Sequence, residues 1–312
     1  MTGFVIDAAG TAYRLPVLLS WRVTHDADGA ADEFWVQCLY DADMGSLMQS
    51  ITRVRLTEND ETEFIGVVDE CVMEVDEAGA YLTISGRGLG AVLIDNESDS
   101  KEYTLCTTED ILREHVRPWG ITDIECGKTG RITGFSVSKG MSEWEILTEF
   151  LLWACGEKPR FSKEGKILIC ADKGSYIKLG WSSGLVSVKW DEKRYGVISE
   201  VTVKGNTSGA SSTVYNSEFI NRGGLCRRII YVPNSTGYDA MRYTGEYQID
   251  KSQEKASLVT VEVIEPLFAF AGDRVNLELT NLGLSGEYYV TESVSWADGT
   301  SCGTRLTMRP EK

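Results

Sequence analysis

Apolar and polar residues alternate with a period of two through several short stretches of the first hundred residues. That period is the signature of half-buried strands. Phe34-Trp35-Val36-Gln37-Cys38-Leu39-Tyr40 predicts an aromatic-rich strand, and Ile51-Thr52-Arg53-Val54-Arg55-Leu56 alternates cleanly. The turn Glu58-Asn59-Asp60-Glu61 leads into Phe64-Ile65-Gly66-Val67-Val68 as its hairpin partner. Cys71-Val72-Met73-Glu74-Val75 and Tyr81-Leu82-Thr83-Ile84-Ser85-Gly86 repeat the pattern across Asp76-Glu77-Ala78-Gly79. Short strands at this spacing predict a sandwich or barrel.

The period then changes. Thr107-Thr108-Glu109-Asp110 offers a helix cap with acids in the first turn, Ile111, Leu112, His115 and Val116 share one helical face, and Pro118-Trp119-Gly120 is a stop. Ser142-Glu143-Trp144-Glu145 has the form of a capping box, in which serine and glutamate each satisfy the other's backbone N–H. Trp144, Leu147, Leu151 and Ala154 follow at three- and four-residue spacing, and Gly156 ends the helix. Residues 161–169 read as a hairpin turning at Glu164-Gly165.

From about Trp181 the strand pattern returns in Val186–Trp190 and Val197–Val203, and again in Leu258–Val263, Arg274–Leu279, Tyr288–Trp296 and Thr304–Met308. Between them, at about 206–256, lies a polar stretch with Ser208–Ser212, Asn221-Arg222-Gly223-Gly224 and Pro233-Asn234-Ser235-Thr236-Gly237. It reads as an insertion or extra subdomain with little core of its own. The expected organisation is a first β unit over 1–97, a mixed α+β unit with two helices over 98–180, and a second β unit over 181–312 that carries this insertion.

At 312 residues the chain exceeds what a single core usually fills, in keeping with several units. Its 47 acidic and 31 basic residues give a net charge of −16, which repels phosphate backbones and argues against nucleic-acid binding. No apolar run is long enough to span a membrane, and Met1-Thr2-Gly3-Phe4-Val5-Ile6-Asp7 lacks signal-peptide features, so the chain is expected to be made and kept in a cytosol without membrane insertion. The eight cysteines stand singly, with only two histidines to complete a metal site, and read as reduced, buried apolar residues.

Motifs that suggest chemistry fail on context. Gly86-Arg87-Gly88-Leu89-Gly90-Ala91 has the form of a dinucleotide loop, but no parallel βαβ unit surrounds it, and a tight turn leaving a strand explains it. Gly127-Lys128-Thr129-Gly130 resembles the end of a phosphate loop, yet Thr122 stands where the upstream glycine is required. His25 and His115 read as packing or surface residues, and Glu58, Asp60, Glu61 and Glu63 as solvated turn acids without calcium-loop order. Trp35, Trp144, Trp153, Trp190 and Trp296 lie within apolar periodicities and read first as core, with interface anchors among them as the alternative that the sequence does not sort. No catalytic residue, cofactor or metal is expected.

Four segments, in order, resemble the baseplate hub proteins of contractile phage tails and tail-like particles, the superfamily of late control protein D and the N-terminal half of type VI spikes. The first is Tyr81–Asp95, in which a strand ending at Gly86-Arg87 precedes an apolar segment closing on Asp95. The second runs from Thr107-Thr108-Glu109-Asp110 to Pro118-Trp119-Gly120-Ile121, and the third from Ser142-Glu143-Trp144 to Pro159-Arg160-Phe161. The fourth combines Phe270-Ala271-Gly272-Asp273, Leu284-Ser285-Gly286-Glu287 and Gly303-Thr304-Arg305. The motif positions are Gly86, Arg87, Asp95, Pro118, Gly120, Trp144, Gly272 and Gly286, all structural in role; the stretch at 206–256 has no counterpart.

The resemblance implies a mainly β chain in which two tail-tube-like antiparallel β-barrels flank a two-helix unit. It implies a homotrimer that joins a sixfold tail tube to a threefold central spike, contacts other baseplate proteins, and lines a channel for DNA or a tape-measure protein. The expected location is the virion or tail-like particle, assembled in the bacterial host cytoplasm. Another tail ring component, such as a distal tail or tube protein, fits less well because those usually lack a two-helix middle unit. A cell-wall hydrolase would need Cys155 with His115 or unassigned acids, and a glycan-binding module would need exposed aromatics.

Overall fold

The structure is a computed structural model that describes residues 1–27, 32–170, 174–205, 209–232 and 238–311. Strands make up 51% of it and helices 19%, so the chain is mainly β, as the period-two patterning predicts.

The first unit comprises β1 (Thr2–Asp7), β2 (Ala12–Arg14), β3 (Leu18–Asp26), β4 (Glu33–Leu39), helix α1 (Met44–Leu47), β5 (Ile51–Glu58), β6 (Glu61–Asp76), β7 (Gly79–Gly88) and helix α2 (Ala91–Ile94). Its strands pair antiparallel in the order β3-β4-β7-β6-β5-β1-β2. Alternate residues, among them Val23, Phe34, Val36, Leu56, Phe64 and Ile84, face one core. The hairpin at Asn59-Asp60 has positive φ at both residues, 49° and 68°. That is the primed turn whose twist matches its flanking strands.

The middle unit holds β8 (Lys101–Thr107), α3 (Thr108–Ile111), β9 (Ile124–Cys126), β10 (Arg131–Val137), α4 (Glu143–Ala154), β11 (Arg160–Phe161) and β12 (Ile167–Ile169). Both expected helices begin on reciprocal caps, Thr107 with Asp110 and Ser142 with Glu145. The first departs from a regular α-helix: Leu112–Val116 winds as a π-helix and Arg117–Trp119 as a 3₁₀ turn. Pro118 has no N–H with which to continue the ladder, and the chain leaves at Gly120. Ile111, Val116, Phe135, Ile146, Phe150 and Ile167 are the centre of this unit's core.

The remainder comprises β13 (Tyr176–Gly180), β14 (Leu185–Glu192), β15 (Glu200–Gly205), β16 (Ser211–Tyr215), α5 (Ser217–Asn221), β17 (Arg227–Val232), α6 (Tyr238–Gln253), β18 (Ser257–Val263), β19 (Arg274–Leu279), β20 (Leu284–Ala297) and β21 (Cys302–Pro310). β14, β18, β21 and β20 pair in that order, while β19 joins β20 and β13 lies parallel to β19. Tyr176–Gly180, which the spacing puts in the middle unit, therefore belongs to the second β unit. Val261, Val275, Leu277, Val290, Leu306 and Met308 form the core here.

The polar stretch at 206–256 is not the coreless insertion its composition predicts. β15, β16 and β17 form a separate three-stranded sheet, α6 packs on it, and Val201, Val203, Met241 and Ile249 make a small core. Half of that core comes from β15, which precedes the polar stretch. Asp28, Gly29, Ser208 and the predicted turn Pro233–Gly237 lie outside the described residues.

Two closed barrels are expected, but the described strands close neither unit by hydrogen bonds. Glu292–Ala297 of β20 pairs with Trp21–Asp26 of β3, so one open path runs from β14 through both units to β2. The reason is the length of β20. Its first half pairs with β19 and its second with β3, with a register shift between Val290 and Glu292 separating the two. One bulged strand thus serves both units.

Candidate functional site

A compact polar construction falls on the first motif segment. β6 pairs Val68 with Gly86 but Glu70 with Ser85, so Asp69 is an extra, bulged residue. Arg87 donates from Nε and Nη2 to both Asp69 oxygens at 2.7 and 2.9 Å, and from Nη1 and Nη2 to both Asp95 oxygens at 3.0 and 2.8 Å. Asp95 follows α2, so one guanidinium ties β6, β7 and the exit from the first unit. Hydrogen bonds from Arg87 hold the Asp95 carboxyl below its ordinary range, and the two carboxylates push the guanidinium further up. Gly86 permits this closeness, because a Cβ there would lie 2.1 Å from the Val67 carbonyl oxygen.

The other motif positions brace separate joints. Trp144 of α4 stacks on Phe161 of β11, ring centres 5.9 Å apart. Gly272 (φ +103°) receives the Arg160 side chain where a Cβ would be 1.7 Å from Nη1, and Arg160 donates to the Ala271 carbonyl at 3.0 Å. This clips the middle unit to the second β unit. Pro118 and Gly120 form the turn beside Arg53 of β5. Gly286 stands apart, opposite Leu277 in β20. Gly86, Arg87 and Asp95 are brought together; the remaining positions are not one site.

Sequence reasoning misses the contacts that fasten the units. His25 meets Asp32 at 2.8 Å and packs 4.5 Å from the Phe270 ring, while Trp21 stacks on Phe268 at 5.8 Å. Lys163 donates to both oxygens of buried Glu63, at 3.1 and 3.2 Å, across the junction of first and middle units. Burial raises the Glu63 carboxyl from its ordinary value, and Lys163 opposes that shift. The one available sequence signal, the acidic run at Glu58–Glu63, gives no hint that its last member is buried.

The catalytic alternative lacks geometry. Both ring nitrogens of His115 are occupied, Nδ1 by Glu143 at 2.7 Å and Nε2 by the Tyr103 hydroxyl at 2.9 Å, and the ring is 4% exposed. Cys155 Sγ instead approaches the Lys128 carbonyl, at 3.8 Å. Gly127–Gly130 lies between β9 and β10, where Lys128 Nζ donates to the Cys155 carbonyl at 3.0 Å, and no helix follows to cradle phosphate. Among the described residues no three His, Cys, Asp or Glu side chains converge as metal ligands.

A cleft of about 750 Å³ lies between α6, the end of α4 and the second β unit. Arg160, Arg274 and Arg309 face Glu254, Glu292 and Glu311 across it, and Arg274 donates to Glu311 at 2.5 Å. This is a junction of balanced charge, unlike the apolar pockets that hold small molecules. The tryptophan expectation needs correction. Trp153 is 65% exposed, Trp190 54% and Trp35 37%. α4 is apolar on more of its circumference than its neighbours cover, and β14 is an edge strand, so periodicity there does not mean core.

No family model and no curated protein matches the chain. Solved structures do. The tail protein from Neisseria meningitidis MC58 is similar over 99% of this chain and 96% of its own, with a TM-score of 0.80 at 14% identity. The 43 kDa tail protein of prophage MuSo2 from Shewanella oneidensis is similar over 99% and 98%, with a TM-score of 0.79 at 17% identity. An Escherichia coli type VI secretion component, described as structurally similar to the T4 bacteriophage tail proteins gp27 and gp5, matches 95% of this chain and 74% of its own at a TM-score of 0.56 and 9% identity. Over nearly its whole length, the chain has the fold of the first two of these tail proteins.

Proposed function

We propose that the chain is the structural hub of a phage-type tail baseplate, a homotrimeric ring that joins a sixfold tail tube to a threefold central spike. The observation that carries this reading is the pairing of β3 with β20, which joins two separately cored β units within one chain. Three copies then present six such units to a sixfold partner while keeping threefold symmetry toward the spike. The full-length fold shared with two tail proteins, one of them from a prophage, supports a structural place in a tail. The likeness to the type VI component, itself described as similar to the T4 tail proteins gp27 and gp5, supports the same structural place.

In this reading the first unit ends near Asp95, the second begins at Tyr176, and Ile198–Gln253 forms an added subdomain. Tube, spike and other baseplate proteins are the partners, in a virion or tail-like particle assembled in the bacterial host cytoplasm. The role needs no catalysis. The charge of −16 suits a channel wall past which DNA or a tape-measure protein slides without sticking. Electron microscopy of the full chain mixed with its cognate tube and spike proteins tests the proposal. A ring of six lobes with threefold symmetry is expected. A strictly sixfold ring of single chains would indicate a distal tail or tube component, and no ring at all would overturn the reading.

A further inference from the structure

Two unpartnered features of the surface complement each other. The pairing of β6 with β5 stops at Val67, and from Val68 to Asp76 the strand is bonded, among the described residues, only to β7. The far half of this hairpin therefore presents an open row of backbone donors and acceptors. It is exposed and apolar at Met73 (45%) and Val75 (70%). The carboxylates of Glu70, Glu74 and Glu77 project from it with no cation within ion-pair distance among the described residues.

The second feature is β17, the edge of its three-stranded sheet, bonded among the described residues only to β15. Its outer face exposes Ile229 and Tyr231, and the adjoining Leu225 and Tyr195 are almost wholly in solvent. Leu225 and Tyr195 border a groove of about 560 Å³ that Arg194 and Arg228 also line. Arg227 is held by Glu200 at 2.8 Å, whereas Lys193, Arg194 and Arg228 have no carboxylate partner among the described residues. Six basic and two acidic residues occur between Lys193 and Val232, in a chain whose net charge is −16.

We infer that these two surfaces belong to one interface between copies of the chain. The far half of the β6–β7 hairpin of one copy adds to the free edge of β17 of the next. Met73 and Val75 lie against Ile229 and Tyr231, and the three free carboxylates face the three free cations. The charges select this arrangement, since hairpin against hairpin sets acids together and β17 against β17 sets arginines together. Only the unlike pairing removes both open edges without like-charge repulsion. An interface of two different patches runs in one direction from copy to copy, and it forms a ring when the rotation between copies closes, as a threefold rotation does for the three copies proposed above. The inference rests on the ring proposed above and names a surface that holds it.

The test uses the full chain, with self-association followed by sedimentation velocity at low salt, alone and with the cognate spike protein. E74R/E77R and R194E/R228E are each expected to weaken association at least about tenfold, and the fourfold swap to restore it. In the wild type, assembly should slow hydrogen exchange at Val68–Asp76 and Arg227–Val232, a readout independent of whether any variant folds. If both reversals assemble like the wild type, or those segments gain no protection, this interface is wrong and the ring reading stands. If the wild type never assembles, both fall. Loss of binding to a labelled DNA duplex in R194E/R228E with unchanged association would make the patch a polyanion site and overturn the inference.

Discussion

Arg87 satisfies two carboxylates at once, and its loss leaves Asp69 and Asp95 facing each other without a cation. Its side chain is 34% exposed, so water screens part of the interaction. Arg87→Ala is expected to cost about 1–2 kcal/mol, measured by urea unfolding, with extra hydrogen exchange at the exit from the first unit. A second residue-scale expectation concerns pH. The ammonium of Lys101 and then the hydroxyl of Tyr103 hold the Glu114 carboxyl at about 2, below the ordinary 4.5. A carboxyl lowered on folding contributes stability above its unfolded value and loses it as pH falls toward its folded one. The wild type should therefore lose stability between pH 4.5 and about 2, and Glu114→Gln should flatten that part of the profile in thermal melts. Of these residues, Arg87 and Asp95 are legible in the sequence as a motif. Asp69 is not, because one acid among 47 carries no mark of the bulge that aims it.

Elements are read well where local chemistry encodes them. Ser142 and Glu145 cap α4 reciprocally, as their spacing requires, and the hairpin of β11 and β12 turns at Gly165 (φ +81°). α6 escapes the same reading because its buried stripe is narrow. Met241, Gly245 and Ile249 recur every fourth residue, and a Cβ at Gly245 would be 2.8 Å from Val214, so the helix rides close to its sheet there. Three residues diluted by polar neighbours make a faint period. Met241 is 1% exposed, and Met241→Ala is expected to destabilise this subdomain by about 2–4 kcal/mol. Hydrogen exchange should show the loss in β15–β17 while the two large β units keep their protection.

At the scale of the molecule, the mainly β class follows from the dominance of the period of two over the stretches with a period of about 3.6. The seam does not. β3 and β20 pair across more than 260 residues of chain, and neither strand's alternation names its partner. The hub proposal depends on that seam, since only a chain that is a double unit would let three copies form the pseudo-sixfold ring proposed above. Copy number is therefore the most direct measure of the central claim. Native mass spectrometry of the complex with the cognate spike protein is expected to show three copies of this chain, and any other number, six included, or no complex at all, would contradict it.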